Sequence, residues 1–167
     1  MKITLTDTEL WIEIDLSTQR LMLRRGGEHL MVVAISTAAN GAGEKYGSEC
    51  TPRGWHQIRA KIGSGCPANS VFRGRRPTGE IYSPSLAQRY PGRDWILSRI
   101  LWLCGLEPGR NRWGEVDTLR RYIYLHGTPD DVKLGRPGSH GCVRMRNCDI
   151  MRLFDLVPTA TKVLIKE

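Results

Sequence analysis

The sequence lacks several features that would assign its class directly. Its 167 residues contain no run of about 18 apolar residues, so we expect no membrane-spanning helix. There is no GxGxxG sequence and no P-loop, and we expect no organic cofactor. The five cysteines form no CxxC pair and no framework spacing, which favours free thiols in a reducing compartment.

The N-terminal stretch MKITLTDTELWIEIDL also lacks the apolar core of a signal peptide, because acidic residues interrupt it. If the numbering begins at the natural methionine, we expect the protein to be cytoplasmic. A chain trimmed of its leader would look the same and would be periplasmic.

What the sequence does have is an excess of positive charge. Lysine and arginine number 25 against 17 acidic residues, giving a net charge of +8. This balance fits a solvated basic surface, a nucleic-acid partner or a substrate with several carboxylates. The basic residues are scattered, with a short cluster only at Arg73, Arg75 and Arg76, and no nucleic-acid motif occurs. We therefore expect no nucleic-acid partner.

Apolar residues alternate through much of the chain, which predicts a mainly β fold in a single domain over residues 1–167. ELWIEIDL and RLMLRR, joined by a polar turn, predict a hairpin, and about seven strands are expected in all. DWILSRILWLCG is ambiguous between helix and strand, and its β-branched and aromatic residues favour a strand. Residues 63–94, rich in Gly, Pro, Ser and Arg, are too long for a passive connection and predict a functional excursion such as a lid.

One helix is predicted near the C-terminus. Asn147 is a good N-cap residue, Asp149 would lie in the first turn, and Pro158 would end the helix. The apolar positions fall on one face at three- and four-residue steps: Ile150, Leu153, Phe154 and Val157.

Cys142 stands out because it lies in the polar, glycine-flanked stretch SHGCVRM, just before this helix. It could be half of a disulfide, a buried structural residue, a zinc ligand or a nucleophile. The expected compartment disfavours a disulfide. A zinc site could combine His126, His140, Cys142 and Cys148, but their spacing matches no zinc pattern, and we expect no metal.

A nucleophilic cysteine needs three things, and the sequence offers candidates for each. A nearby imidazole and the positive end of the following helix would both lower the pKa of the Cys142 thiol. His126 and His140 are both candidate bases. The backbone N–H groups of Gly141 and Cys142 could stabilise an oxyanion.

These residues also match a known signature. YIYLHGTP followed by LGRPGSHGCVRM resembles the YkuD-type (ErfK/YbiS/YcfS/YnhG-like) L,D-transpeptidase catalytic domain, which carries a His, a loop, Ser/Thr-His-Gly-Cys, an apolar residue, and Asn or Arg. IEIDLSTQRLMLRRGGEHL, TPRGWHQI and TKVLIK are similar to its opening hairpin, its Thr-Pro-x-Gly strand and its last strand. The resemblance covers most of the chain and is weakest over residues 60–110. It implies a β-sandwich with one or a few short helices.

The resemblance implies a reaction. Cys142 would attack the carbonyl between an L-centre, usually of diaminopimelate, and D-alanine in a peptidoglycan tetrapeptide stem, leaving a thioester. His126 would be the general base, held by a main-chain carbonyl at or near Gly127. His140, Gly141 and Cys142 would surround the oxyanion.

Other residues are candidates for binding the substrate. The resemblance implies that Arg144 grips a substrate carboxylate, although it could instead pair with Asp130 or Asp131. Ser139 is a further candidate that could equally shape the turn. Tyr46 and arginines of the 63–94 stretch, such as Arg75 and Arg76, could also line the cleft, the arginines because of their positive charge.

With water as acceptor, the reaction would be that of a cytoplasmic L,D-carboxypeptidase that trims tetrapeptides or muropeptides during peptidoglycan recycling. The alternatives are an L,D-transpeptidase with an amine acceptor and a non-catalytic muropeptide-binding domain. For either enzyme, the resemblance implies that penem-type β-lactams acylate Cys142.

Overall fold

The computed structural model describes residues 2–167, and these contain ten β-strands, two α-helices and one 3-10 helix. The strands are β1 (Leu10–Asp15), β2 (Arg20–Arg25), β3 (Glu28–Ala34), β4 (Gly54–Ile62), β5 (Ser70–Arg73), β6 (Arg76–Ile81), β7 (Ile96–Gly105), β8 (Tyr124–Thr128), β9 (Val143–Arg146) and β10 (Lys162–Lys166). The helices are α1 (Pro84–Arg89), α2 (Asn147–Leu156) and the 3-10 helix Gly114–Val116. None of these helices is long and apolar enough to cross a membrane. The predicted mainly β fold with a few short helices is confirmed.

All ten of these strands belong to one hydrogen-bonded sheet. Its main path runs β3-β2-β1-β10-β4-β7-β5-β6, and β8 and β9 continue from β7 as a branch. The β1–β10 and β8–β9 pairs are parallel, and the other pairs are antiparallel. The predicted opening hairpin is β1–β2, in which Ile12 pairs with Leu23 and Ile14 with Leu21.

The sheet curls until its two ends meet beside Cys142. Just after β3, the backbone N–H of Ser36 donates to the carbonyl of Arg144 (3.0 Å), and the N–H of Arg144 donates to the carbonyl of Ser36 (2.8 Å). One core cluster accordingly contains Leu23 from β2 and Met145 from β9. This closure fixes β9, and with it the loop before it, against the chain that follows β3.

The structure differs from the prediction in two segments. Residues 63–94 contain the β5–β6 hairpin and α1, and β5 pairs with β7, so this stretch extends the sheet where the sequence suggested an irregular excursion. Val71 and Phe72 are buried and anchor it. The second difference is β9, a four-residue strand that the sequence pattern did not indicate. The expectation that DWILSRILWLCG forms a strand is confirmed by β7.

The predicted C-terminal helix is present as α2, but its start differs. The N-cap residue is Arg146, which makes no side-chain cap hydrogen bond. Asn147 is instead the first helical residue, and its buried side chain bonds to Ser98, Asn69 and Thr128. The Asn147 side chain therefore makes hydrogen bonds to distant residues and does not cap the helix as its residue type had predicted.

Candidate active site

The parallel β8–β9 pair brings Cys142 and His126 to the same face of the sheet. His126 is opposite Arg144 in the register, and Cys142 precedes Arg144 by two residues. Successive strand residues point to opposite faces, so Tyr124 and His126 share one face while Leu125 enters the core on the other. Cys142 packs against the cluster that contains Tyr124, which places its thiol on the His126 side.

His126 is held in the form that a general base requires. Its side chain is buried (1% exposed), and Nδ1 lies 2.7 Å from the carbonyl oxygen of Gly127. A carbonyl only accepts, so Nδ1 carries the proton and Nε2 has the free lone pair. Burial lowers the pKa of His126, which keeps the imidazole neutral near pH 7. The carbonyl anchor expected at Gly127 is therefore present in the geometry.

Gly127 has to be glycine for a packing reason. A Cβ at this position would lie 2.5 Å from the carbonyl oxygen of Leu97 and 2.3 Å from Oδ1 of Asn147. Both distances are shorter than any real Cβ contact, and one partner is backbone. The strand that carries His126 can therefore approach β7 only without a side chain here.

The thiol of Cys142 rests as a neutral group bonded to backbone. Sγ donates to the carbonyl of Tyr122 and accepts from the N–H of Tyr124, both at 3.4 Å. No hydrogen bond within residues 2–167 joins it to an imidazole. Burial raises the pKa of Cys142 to about 12.

The expected help from a helix N-terminus is wrong. Strand β9 lies between Cys142 and the first turn of α2, so the positive end of the helix is separated from the thiol by four extended residues. The helix dipole acts mainly within its first turn. The positive charges that lower the pKa of Cys142 are instead the guanidinium groups of Arg144 and Arg121, and they do not outweigh burial.

The loop around Gly141 is built from internal hydrogen bonds. Gly141 has φ +129°, and a Cβ there would meet the carbonyl oxygen of Cys50 at 3.3 Å. Thr51 Oγ1 donates to the carbonyl of Gly141 (3.0 Å). The Gly141 N–H donates to Ser139 Oγ (3.2 Å), whose hydroxyl donates to the carbonyl of Cys142 (2.5 Å).

This loop bears on two expectations. Ser139 is buried and its hydroxyl bonds within the loop, so it shapes the turn, and its part in substrate binding stays a prediction. Because the Gly141 N–H already has an acceptor, the N–H of Cys142 becomes the stronger candidate donor to an oxyanion.

His140 and Tyr46 come together at the surface. Both are exposed and line a surface cavity of ≈ 220 Å³ together with Arg121 and Tyr122. Arg121 ties this region to the Gly-rich loop, donating to the carbonyls of Glu44 (3.0 Å) and Cys50 (2.6 Å). His140 therefore borders the site and does not contact Cys142 as a base.

Arg144 pairs with a carboxylate that the sequence did not single out. Its Nη2 is 3.1 Å from Asp94 Oδ1, and its Nη1 donates to the carbonyl of Gly138 (3.0 Å). The alternative pairing with Asp130 or Asp131 is wrong. Asp94 and Arg144 are 50 positions apart, so no local pattern could have linked them.

At the tip of the β5–β6 hairpin, Arg75 and not its neighbour Arg76 reaches the site. Arg75 donates to the hydroxyl of Tyr124 (3.1 Å) and lies over the rings of Trp102 and Tyr122, 4.7 Å from each centroid. Arg76 is exposed at the start of β6. Of the two arginines expected to line the cleft, the structure brings Arg75 to the residues beside Cys142, while Arg76 lies exposed.

The residues of the alternative zinc site do not lie together in the structure. Within residues 2–167 no three side chains of His, Cys, Asp or Glu gather in a way that could hold a metal ion. All five cysteines are free, and Cys148 is exposed at the start of α2. A disulfide and a zinc site are thus not formed by Cys142, which leaves the buried structural residue and the nucleophile as the two interpretations.

Comparison with known proteins agrees with this geometry. The model of the YkuD family, the L,D-transpeptidase catalytic domain, matches residues 9–165. The putative L,D-transpeptidase YkuD of Bacillus subtilis is 32% identical over 89 residues, covering 53% of this chain and 44% of that protein. The probable L,D-transpeptidase YbiS of Escherichia coli K12 is 49% identical over 43 residues, covering 26% and 14%. The chain thus spans less than half the length of these curated relatives.

Solved structures show the same fold at low identity. The L,D-transpeptidase 3 of Mycobacterium tuberculosis, solved with a faropenem-derived adduct, superposes with a TM-score of 0.57 at 15% identity, covering 95% of this chain and 60% of that one. With the family model matching nearly the whole chain, the protein belongs to the L,D-transpeptidase catalytic domain family.

Proposed function

We propose that the protein is a cysteine-dependent peptidoglycan enzyme that cleaves the bond between the L-centre and D-alanine of a tetrapeptide stem. The observation that carries this proposal is the placement of Cys142 and the anchored, neutral His126 on one face of the β8–β9 pair. Family membership supports acyl transfer through a thioester.

In the proposed reaction, Cys142 Sγ attacks the carbonyl carbon while its proton passes to Nε2 of His126. The N–H of Cys142 stabilises the resulting oxyanion. Collapse of this intermediate breaks the C–N bond, and D-alanine leaves with the proton from His126. A thioester remains on Cys142. Water, deprotonated by His126, then attacks the thioester and releases a carboxylate and the thiol.

Charge around the thiol supports water as the acceptor. Arg144 and Arg121 lie close enough to Cys142 to lower its pKa, and Arg75 bonds to the neighbouring Tyr124. Two carboxylates offset part of this charge, Asp94 beside Arg144 and Glu44 beside Arg121. Such a field attracts a substrate that carries carboxylates and disfavours the approach of an ammonium acceptor, whereas water is unaffected. The favoured activity is therefore that of an L,D-carboxypeptidase.

An L,D-transpeptidase that uses an amine acceptor is the second candidate. It is favoured by the names of the curated relatives, which are described as L,D-transpeptidases. The first half of the reaction is the same for both, and the two candidates differ only in what attacks the thioester.

The chemistry also suggests an inhibitor and a cellular location. A penem-type β-lactam should acylate Cys142, as the faropenem-derived adduct of the M. tuberculosis relative suggests. A carboxypeptidase that trims soluble stem peptides during recycling would act in the cytoplasm. Fractionation of cells that express the native gene, followed by immunoblotting, tests this location.

The test is to incubate the protein with free tetrapeptide and with disaccharide tetrapeptide, and to follow the products by mass spectrometry. Cys142→Ala is the control. Loss of one D-alanine without dimers, dependent on Cys142, supports the carboxypeptidase. Cross-linked dimers, or exchange of an added D-amino acid into the stem, would establish the transpeptidase. Absence of turnover with both substrates would leave a muropeptide-binding domain.

A further inference from the structure

Arg144 has the features of a preformed carboxylate site. Its backbone is fixed by the two hydrogen bonds with Ser36, and its Nη1 is fixed by the carbonyl of Gly138. Its side chain is only 16% exposed. A guanidinium has five N–H donors arranged to match a carboxylate, and here Nη2 remains directed at one.

The carboxylate in that position belongs to Asp94, which is held much more weakly. Asp94 lies in the connection between α1 and β7, and its side chain is 50% exposed. Arg144 is its one ion-pair partner within residues 2–167. An ion pair with so exposed a member contributes little stability, so another carboxylate can replace Asp94 at small cost.

Asp94 also borders a large surface cavity. The cavity measures ≈ 840 Å³ and is lined in part by Arg73, Arg89 and Arg93. Arg93 is paired with Glu80, but Arg73 and Arg89 make no ion pair within residues 2–167. A ligand that carries several carboxylates would therefore find both space and unneutralised positive charge next to Arg144.

We infer that Asp94 occupies the carboxylate site of Arg144 in the free protein, and that a carboxylate of the bound stem peptide displaces it. The inference rests on the proposed function and adds a substrate class to it. The protein selects stems whose carboxylates are free over stems whose carboxylates are amidated, because a neutral amide cannot replace Asp94 on the guanidinium. Asp94 is then a specificity-determining residue that competes with the substrate.

The test measures binding of the product, so it does not require turnover. Cys142 is alkylated with iodoacetamide at pH 8.5 in the presence of increasing concentrations of a tripeptide, and the protection of Cys142 against alkylation is measured. The tripeptide is L-alanyl-γ-D-glutamyl-diaminopimelate or the same peptide with its carboxylates converted to amides. The variants are Asp94→Asn, which cannot form the ion pair, and Asp94→Glu, which keeps a carboxylate. Asp155→Asn on the exposed side of α2 is the matched control for loss of one negative charge.

In Asp94→Asn the acid tripeptide should protect at an about two- to fivefold lower concentration, which is the range expected for removing a competing exposed ion pair. The amide should be unaffected, and Asp94→Glu and Asp155→Asn should behave as wild type. The inference would be overturned if Asp94→Asn changed the protecting concentration of the acid and the amide equally, or did not change it for the acid. It would also be overturned if the acid protected this variant less well than wild type, or if it did not protect Cys142 at all. If D-alanine is never released but the acid-selective shift occurs, the proposed function fails and the inference stands.

Discussion

Asn147 joins three parts of the chain close to His126, and replacing it with alanine should destabilise all three contacts together. Its side chain is 8% exposed. Oδ1 accepts from the Ser98 hydroxyl (2.6 Å), and Nδ2 donates to the carbonyl of Thr128 (2.9 Å) and to Oδ1 of Asn69 (3.1 Å). Gly127, whose carbonyl holds His126, packs directly against Oδ1.

The expected loss can be worked out from these contacts. In Asn147→Ala the Ser98 hydroxyl and the Thr128 carbonyl both remain buried without this partner, and each such group costs about 1–3 kcal/mol. Ser98 also has φ +70°, a conformation that costs a non-glycine residue free energy and that its hydrogen bonds help to hold. We expect the free energy of unfolding to fall by about 2–4 kcal/mol, and Tm by roughly 5–15 °C.

Urea unfolding, followed by tryptophan fluorescence, measures this change. Asn147→Asp is the informative companion, because it keeps the acceptor for Ser98 but sets a carboxylate oxygen against the Thr128 carbonyl and Asn69 Oδ1, which are both acceptors. It should be at least as destabilised as Asn147→Ala. A loss below about 0.5 kcal/mol in Asn147→Ala, the size of an ordinary surface substitution, would refute the reasoning.

Other predictions concern the base, buried histidines and the hairpin tip. His126→Gln should lower kcat/KM for D-alanine release about 10²–10⁴-fold, and a loss under tenfold would exclude its role as base. Because burial lowers the pKa of His126, the kcat/KM of the wild type should fall on the acidic side only below pH 6.5. Burial lowers the pKa of His56 to about 4, so at mildly acidic pH the unfolded chain binds a proton that the folded chain does not, and the free energy of unfolding should fall by about 1.4 kcal/mol per pH unit from pH 6.5 towards 4. Urea unfolding at pH 7 and 5.5 should show a smaller fall in His56→Gln, and an equal fall in the two proteins would contradict this. Arg75→Ala should lower the free energy of unfolding in urea by about 0.5–2 kcal/mol, because it removes two cation–π contacts and the hydrogen bond to Tyr124. The exposed Arg76→Ala should stay within about 0.5 kcal/mol of wild type, and equal losses in both variants would count against the assignment of Arg75.

Local sequence pattern predicted those parts of the fold that depend on alternation or on helical spacing. The β1–β2 hairpin, β7 and the apolar face of α2 were all expected and are present. The anchor of the His126 imidazole on the Gly127 carbonyl was expected only from the family resemblance, and it is present.

What the sequence missed depends on contacts between distant residues. Strand β9 has only four residues and takes its conformation from pairing with β8 and with Ser36, which no local pattern encodes. The same holds for Asp94 beside Arg144 and for the backbone of Tyr122 beside the thiol. The charge state of Cys142 could not be read from its neighbours in sequence, because burial decides it.

The most direct test of the account is to identify the group that is acylated. Wild-type protein is mixed with tetrapeptide or faropenem and quenched in acid, and its intact mass and proteolytic peptides are measured. We expect one adduct on the wild-type protein, at Cys142. It should be absent in Cys142→Ala and should form far more slowly in His126→Gln. An unmodified protein, or an adduct at another cysteine that persists in Cys142→Ala, would contradict it.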